Sequence, residues 1–146
     1  MPSISAVVLN EQNQLLCMYR ADTHEWDLPG GYLELGEQPA LATAREVFEE
    51  TGLIVRPERL LGVFGDLIAS YPNGAKVEIV MTLFLCKIVG GELKPSDGEA
   101  LELKFFELDN LPSSPLFDRL PISYKSLIEA RYASFMWEES WLKKFT

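Results

Sequence analysis

Glu46, Glu49 and Glu50 stand at spacings of three and four residues in a stretch that runs from Pro39 to Gly52. On a helix turning about 100° per residue they gather on one side. Neighbours at these spacings lie about 5–6 Å apart at Cβ, and like charges there cost a few tenths of a kcal/mol per pair. Two uses fit such a stripe. It can be a solvated acidic surface, or it can hold hard divalent cations, which prefer carboxylate oxygen. Spacing alone leaves both open. Ala40, Leu41, Ala44, Val47, Phe48 and Thr51 form the broad face opposite.

The neighbouring residues predict how this helix is held. Pro39 suits a first helical turn and Gly52 a left-handed cap just past the last one. Upstream, Trp26-Asp27-Leu28-Pro29-Gly30-Gly31 forces an irregular backbone. Ser5 to Asn10 and Leu15 to Arg20 read as two strands of a hairpin. Leu60 to Ser70 and Lys76 to Val89 read as long strands around Tyr71-Pro72-Asn73-Gly74, whose Asn-Gly is a strong hairpin cue. Leu101 to Leu108 is a further strand, and Ser123 to Tyr132 a second helix. Together they predict one α/β domain over residues 1–146, a mixed sheet packed between helices. The tail from Phe135 carries Trp137, Trp141 and Phe145, placed either on the core or on a partner chain.

Composition narrows the function classes. The chain has 146 residues, 47% of them hydrophobic, enough for a sizeable core. Its 22 acidic residues against 13 basic ones give a formal net charge of −9. A broad basic face for nucleic acid is therefore not expected. A small anionic substrate remains compatible, because surface charge is screened over about 8 Å, but its phosphates need local positive charge from a metal or a few arginines. His24 is the only histidine, so a Cys/His zinc site cannot be built, and Cys17 and Cys86 read as buried, reduced thiols. The N-terminus does not read as a signal peptide, and the most apolar run, Ile79 to Val89, is too short to span a bilayer. A cytoplasmic protein without membrane contact is the expectation.

The segment from Gly31 through Glu37 to Arg45-Glu46-Val47-Phe48-Glu49-Glu50-Thr51-Gly52-Leu53 resembles the Nudix box at every defined position. That box reads Gly, five residues, Glu, seven residues, Arg-Glu, an aliphatic, any residue, Glu-Glu, any residue, Gly, an aliphatic. It spans residues 31–53, and the order of strands and helices resembles the family over most of the chain. The resemblance implies a Nudix-type α/β/α sandwich. It implies metal ligands at Glu46, Glu49 and Glu50, with the Gly30 carbonyl as a backbone ligand. Arg45 resembles the residue that orients a neighbouring glutamate, although a simple surface pair with Glu49 also fits. Glu37 resembles the glutamate that braces the loop against the helix, and Glu34 matches a frequent variant. A further acid comes from outside the box: Glu99 and Glu102 are candidates, and Glu102 matches the placement better. Arg20 resembles positions that touch substrate phosphate.

The implied chemistry is hydrolysis of a pyrophosphate bond with Mg²⁺, for which Mn²⁺ is a possible substitute. Glu46, Glu49 and Arg45 would carry it, and the substrate would be a nucleoside diphosphate linked to another moiety. ADP-ribose, a nucleotide sugar and a nucleoside triphosphate all remain open. The proline that marks ADP-ribose enzymes is missing from Asp66 to Ser70, and the motif of coenzyme A-cleaving relatives is absent. Tyr71 is in range of the tyrosine of diadenosine polyphosphate enzymes but opens a turn. Trp26, Tyr71 and Phe105 are the aromatic candidates for stacking a base. The alternative is a non-catalytic Nudix domain that binds a nucleotide and regulates. A homodimer is possible.

Overall fold

The computed structural model of the chain describes residues 1–95, 98–120 and 122–145, apart from the side chains at positions 66, 116 and 119. The strands are β1 (Pro2–Leu9), β2 (Leu15–Arg20), β3 (Trp26–Asp27), β4 (Gly30–Tyr32), β5 (Leu53–Ser70), β6 (Lys76–Gly91) and β7 (Ala100–Phe106). The helices are α1 (Pro39–Thr51), α2 (Pro115–Arg119) and α3 (Tyr124–Glu129), followed by a 3₁₀ turn over Glu139–Phe145. The predicted β1–β2 hairpin closes at one end only, where Leu9 faces Leu15. From there the strands part, because other strands take their edges. β1 runs antiparallel to β4 and parallel to β6, and β6 pairs with β5. β2 lies between β3 and β7. The result is a mixed sheet with two diverging wings, and the chain crosses the fork between them through Leu28 and Pro29.

Alternation along the strands sends side chains to two separate clusters. Val7, Cys17, Met81 and Leu83 pack with Tyr124 and Leu127 of α3, while Ala6, Val8, Leu16 and Cys86 pack with Val47 of α1. Helices thus cover both faces of the sheet, an α/β/α arrangement. Both thiols are buried and free, and burial pushes each up to about 12. Among the described residues no helix is long and apolar enough to cross a membrane.

The structure departs from the sequence expectations in several elements. β5 begins at Leu53 directly after the helix cap, well before Leu60, and α2 was not foreseen. The second predicted helix shrinks to Tyr124–Glu129. Ser123 caps its start by accepting the Ser126 N–H, and Arg59 of β5 donates to the carbonyls of Ile128 and Ala130 at its end. The tail stacks mainly on itself, with ring centroids 6.2 Å apart for Trp137 and Trp141 and 4.8 Å for Trp141 and Phe145. Its anchor is Ser134, whose N–H donates to Leu61 O at 2.8 Å and whose carbonyl accepts from Val63 at 3.3 Å.

Candidate active site

Helix α1 buries only part of the face its apolar residues predict: Val47 and Thr51 are inside, but the helix is turned so that Glu50 joins them and Leu41 and Phe48 point outward. Leu41 and Phe48 are 64% and 54% exposed, whereas Thr43, Val47, Glu50 and Thr51 are fully buried. Pro39 starts the helix, and Gly52, at φ 78°, ends it with its N–H on Phe48 O. A side chain at Gly52 would put Cβ 2.3 Å from the Glu92 carbonyl, so only glycine lets β6 close over this cap.

The helix presents its glutamates to the loop that precedes it. Gly30 N–H donates to Glu50 Oε1 at 3.1 Å, and a Cβ on Gly31 would lie 2.7 Å from Glu46 Oε1. The bare backbone of β4 therefore makes the space that Glu46 fills. Glu50 Oε2 is buried with no hydrogen-bond partner among the described residues. The Glu50 carboxyl is pushed up to about 9, first by burial and then by Glu46, against the opposing pull of the Gly30 N–H. An unsatisfied carboxylate oxygen beside a second carboxylate is costly for the folded chain alone.

Arg45 holds the rest of the cluster. Its Nε and Nη2 grip both oxygens of Glu37 at 2.6 and 2.9 Å, and Nη1 reaches Glu46 at 3.0 Å and Glu49 at 3.1 Å. Glu37 also accepts the Glu34 N–H at 3.1 Å, which ties the loop to the helix. The guanidinium beside Glu37 holds its carboxyl below the usual range. Both sequence readings of Arg45 are thus present, and its principal partner is Glu37. Glu34 is exposed and 3.7 Å from Arg45.

At the fork between the wings lies a cleft of about 460 Å³. Glu46, Gly30 and Gly31 line it from one wing, and Arg20, Asp27 and Glu99 from the other.

A family model described as the NUDIX domain matches residues 1–129. The chain belongs to the Nudix family. It is 43% identical over 89 residues to a MutT-like protein of Streptomyces ambofaciens, covering 61% of this chain and 53% of that protein. It is 39% identical over 108 residues to an ADP-ribose pyrophosphatase of Methanocaldococcus jannaschii, covering 72% of this chain and 61% of the relative. The chain therefore spans little more than half the length of these two relatives. In three dimensions it resembles an ADP-ribose pyrophosphatase of Streptococcus suis with a TM-score of 0.68 at 26% identity, covering 94% of this chain and 95% of that one.

Of the Nudix box glutamates Glu46 lines the cleft beside Gly30, Glu50 is buried behind it on the Gly30 N–H, and Glu49 is half exposed and bonded to Arg45. Glu102 is exposed on β7 opposite Tyr19 and is not among the residues lining the cleft. Glu99, just before β7, lines it instead, because its carbonyl accepts the Ala21 N–H at 2.8 Å and draws that turn to the end of β2. Arg20 also lines the cleft, held by both oxygens of Asp22 at 2.9 Å. Trp26 packs edge-on to Phe106 in the core, and Phe105 packs against the α1-side cluster. The sequence reading missed Asp27 and Tyr32. The irregular Trp26-to-Gly31 segment was the available signal for both, since it had to turn at the site.

Proposed function

We propose that this chain hydrolyses a pyrophosphate bond in a nucleoside diphosphate linked to another moiety, in a reaction that depends on Mg²⁺ or on Mn²⁺ in its place. The observation that carries this reading is the buried, unsatisfied Glu50 oxygen beside Glu46. Carboxylate and carbonyl oxygens gathered beside a cleft fit a hard divalent cation. Glu46, Glu50 and the neighbouring Glu49, with the Gly30 carbonyl, would hold it. When bound, such an ion supplies positive charge that neutralises the diphosphate and acidifies the attacking water. Arg45 fixes the directions of Glu46 and Glu49, so the carboxylates need little reorganisation when substrate arrives. Arg20 contributes charge for a substrate phosphate from the opposite wing. Glu99, which lines the same cleft, would accept the proton of the water. The substrate range in view is ADP-ribose, nucleotide sugars and nucleoside triphosphates, and ADP-ribose is the substrate named for two of the similar proteins.

A phosphate-release assay with a coupling phosphatase tests this. ADP-ribose, nucleotide sugars, diadenosine polyphosphates, and normal and oxidised nucleoside triphosphates would be offered with Mg²⁺ and with a chelator. The expected result is Mg²⁺-dependent release from at least one class, lost in Glu50→Gln. Silence across the panel from folded protein would overturn the hydrolase reading in favour of a non-catalytic nucleotide-binding domain.

A further inference from the structure

The glutamates leave one part of the cleft without a role. Beyond Gly30 and Ser5 its lining becomes apolar, with Tyr32, Leu67, Ile79 and Met81. The strand register orders these side chains. Tyr32 lies opposite Ser3, and Ser3 opposite Met81; Ile79, two residues earlier on β6, lies opposite Leu67. Directly paired residues share a face of the sheet. The backbones of Tyr32 and Met81 are therefore two strands apart, about 9.6 Å, with the small Ser3 between them, and Met81 shows only a small part of its surface to the cleft. Ser5, next along the same face of β1, faces Gly30, so the groove stays open towards the glutamates. A flat ring needs a contact of about 3.5–4.0 Å on each side, and walls at this separation leave room for one. Tyr32 is the only aromatic residue among those lining the cleft. Its hydroxyl shares a 2.8 Å hydrogen bond with that of Tyr71, which brings the β5–β6 turn across the end of β1 and closes the far end of the groove.

We propose that Tyr32 and Met81 form the walls, and Ser3 the floor, of a slot for the planar base of a nucleotide. That the nucleotide's diphosphate lies over Glu46 and Glu50 rests on the proposed function; the slot itself does not. Tyr32 supplies the ring face for stacking, the thioether of Met81 packs on the other side, and Tyr71 holds the Tyr32 ring in place. Specificity for a base then arises on β1, β4 and β6, outside the glutamate helix.

Calorimetric titration of the 146-residue chain with AMP, GMP and UMP, against ribose 5-phosphate as the base-free control, tests the slot. At least one nucleotide is expected to bind about tenfold or more tightly than the control, and Tyr32→Leu to remove that advantage. Tyr32→Phe, which keeps the ring, retains it. Ser3→Leu, which fills the floor, abolishes it and serves as the deciding variant if Tyr32→Leu does not fold. Equal binding of all three nucleotides and ribose 5-phosphate to the wild type overturns the slot, as does an unchanged preference in folded Tyr32→Leu or Ser3→Leu. None of these probes contains a pyrophosphate bond, so the outcome is independent of hydrolysis. Hydrolysis without base preference would remove the slot alone, and base preference without hydrolysis would remove the catalytic reading alone.

Discussion

The two sides of α1 do not divide by polarity alone. The inner side buries Glu50 completely, while the outer side leaves Leu41 and Phe48 more than half exposed. Apolar burial would favour a turn that brings Leu41 and Phe48 inward, at about 1.5–3 kcal/mol for each large side chain removed from water. The helix is held instead by its surroundings: Gly52 closing against β6, Val47 in the core, and Arg45 locking the helix to Glu37 of the loop. Its glutamates are therefore placed at a cost to the fold, as expected where a site and not stability sets the orientation.

Removing the charge of Glu50 should have the largest effect and should separate the two quantities. Glu50→Gln is expected to lower turnover about 10²-fold or more. The same change should stabilise the metal-free protein by about 1 kcal/mol, since it removes the cost of burying an ionisable carboxyl beside Glu46. Thermal unfolding in chelator, beside an activity assay, reads both; a destabilised Glu50→Gln would show that this carboxylate is satisfied in the folded chain. Next comes Arg45→Ala, which releases Glu37, Glu46 and Glu49 together and should reduce activity about 10–100-fold. Arg45→Lys should not rescue it, because one ammonium cannot reproduce the forked grip on Glu37. Gly31→Ala should be milder, about tenfold in activity with little change in stability, as its methyl displaces the Glu46 carboxylate. On the outer side, Leu41→Gln and Phe48→Gln should change stability by less than about 0.5 kcal/mol and leave turnover unaltered. A large loss there would mean that the exposed face has a partner after all.

The sequence made the helix legible because its boundary signals are local: proline starts it, and glycine ends it in the conformation glycine favours. The glutamates were legible as a group, but not their burial, because periodicity reports polarity and here the partners of the charge lie twenty residues away at Gly30. Pattern favoured Glu102 over Glu99, whereas Glu99 is the one that lines the cleft. Their difference depends on the Ala21–Glu99 backbone bond, a contact between distant segments. The β1–β2 hairpin was foreseen from its turn, yet its divergence follows from which strands take each edge, and no local signal encodes that. Tyr32 went unnoticed for a similar reason: its neighbours across the sheet, Ser3 and Met81, come from opposite halves of the chain.

The attachment of Ser134 to Leu61 and Val63 bears on how this protein behaves in a crowded solution. β5 is the last strand of its wing, and its outer edge offers backbone donors and acceptors to any passing strand. Leu60, Val63 and Ile68 add exposed apolar side chains beside that edge. The segment at Ser134 occupies the middle of this template with two backbone hydrogen bonds, and the bulky aromatic tail follows directly behind it. Pairing at Ser134 thus shortens the stretch of β5 edge that another strand could join.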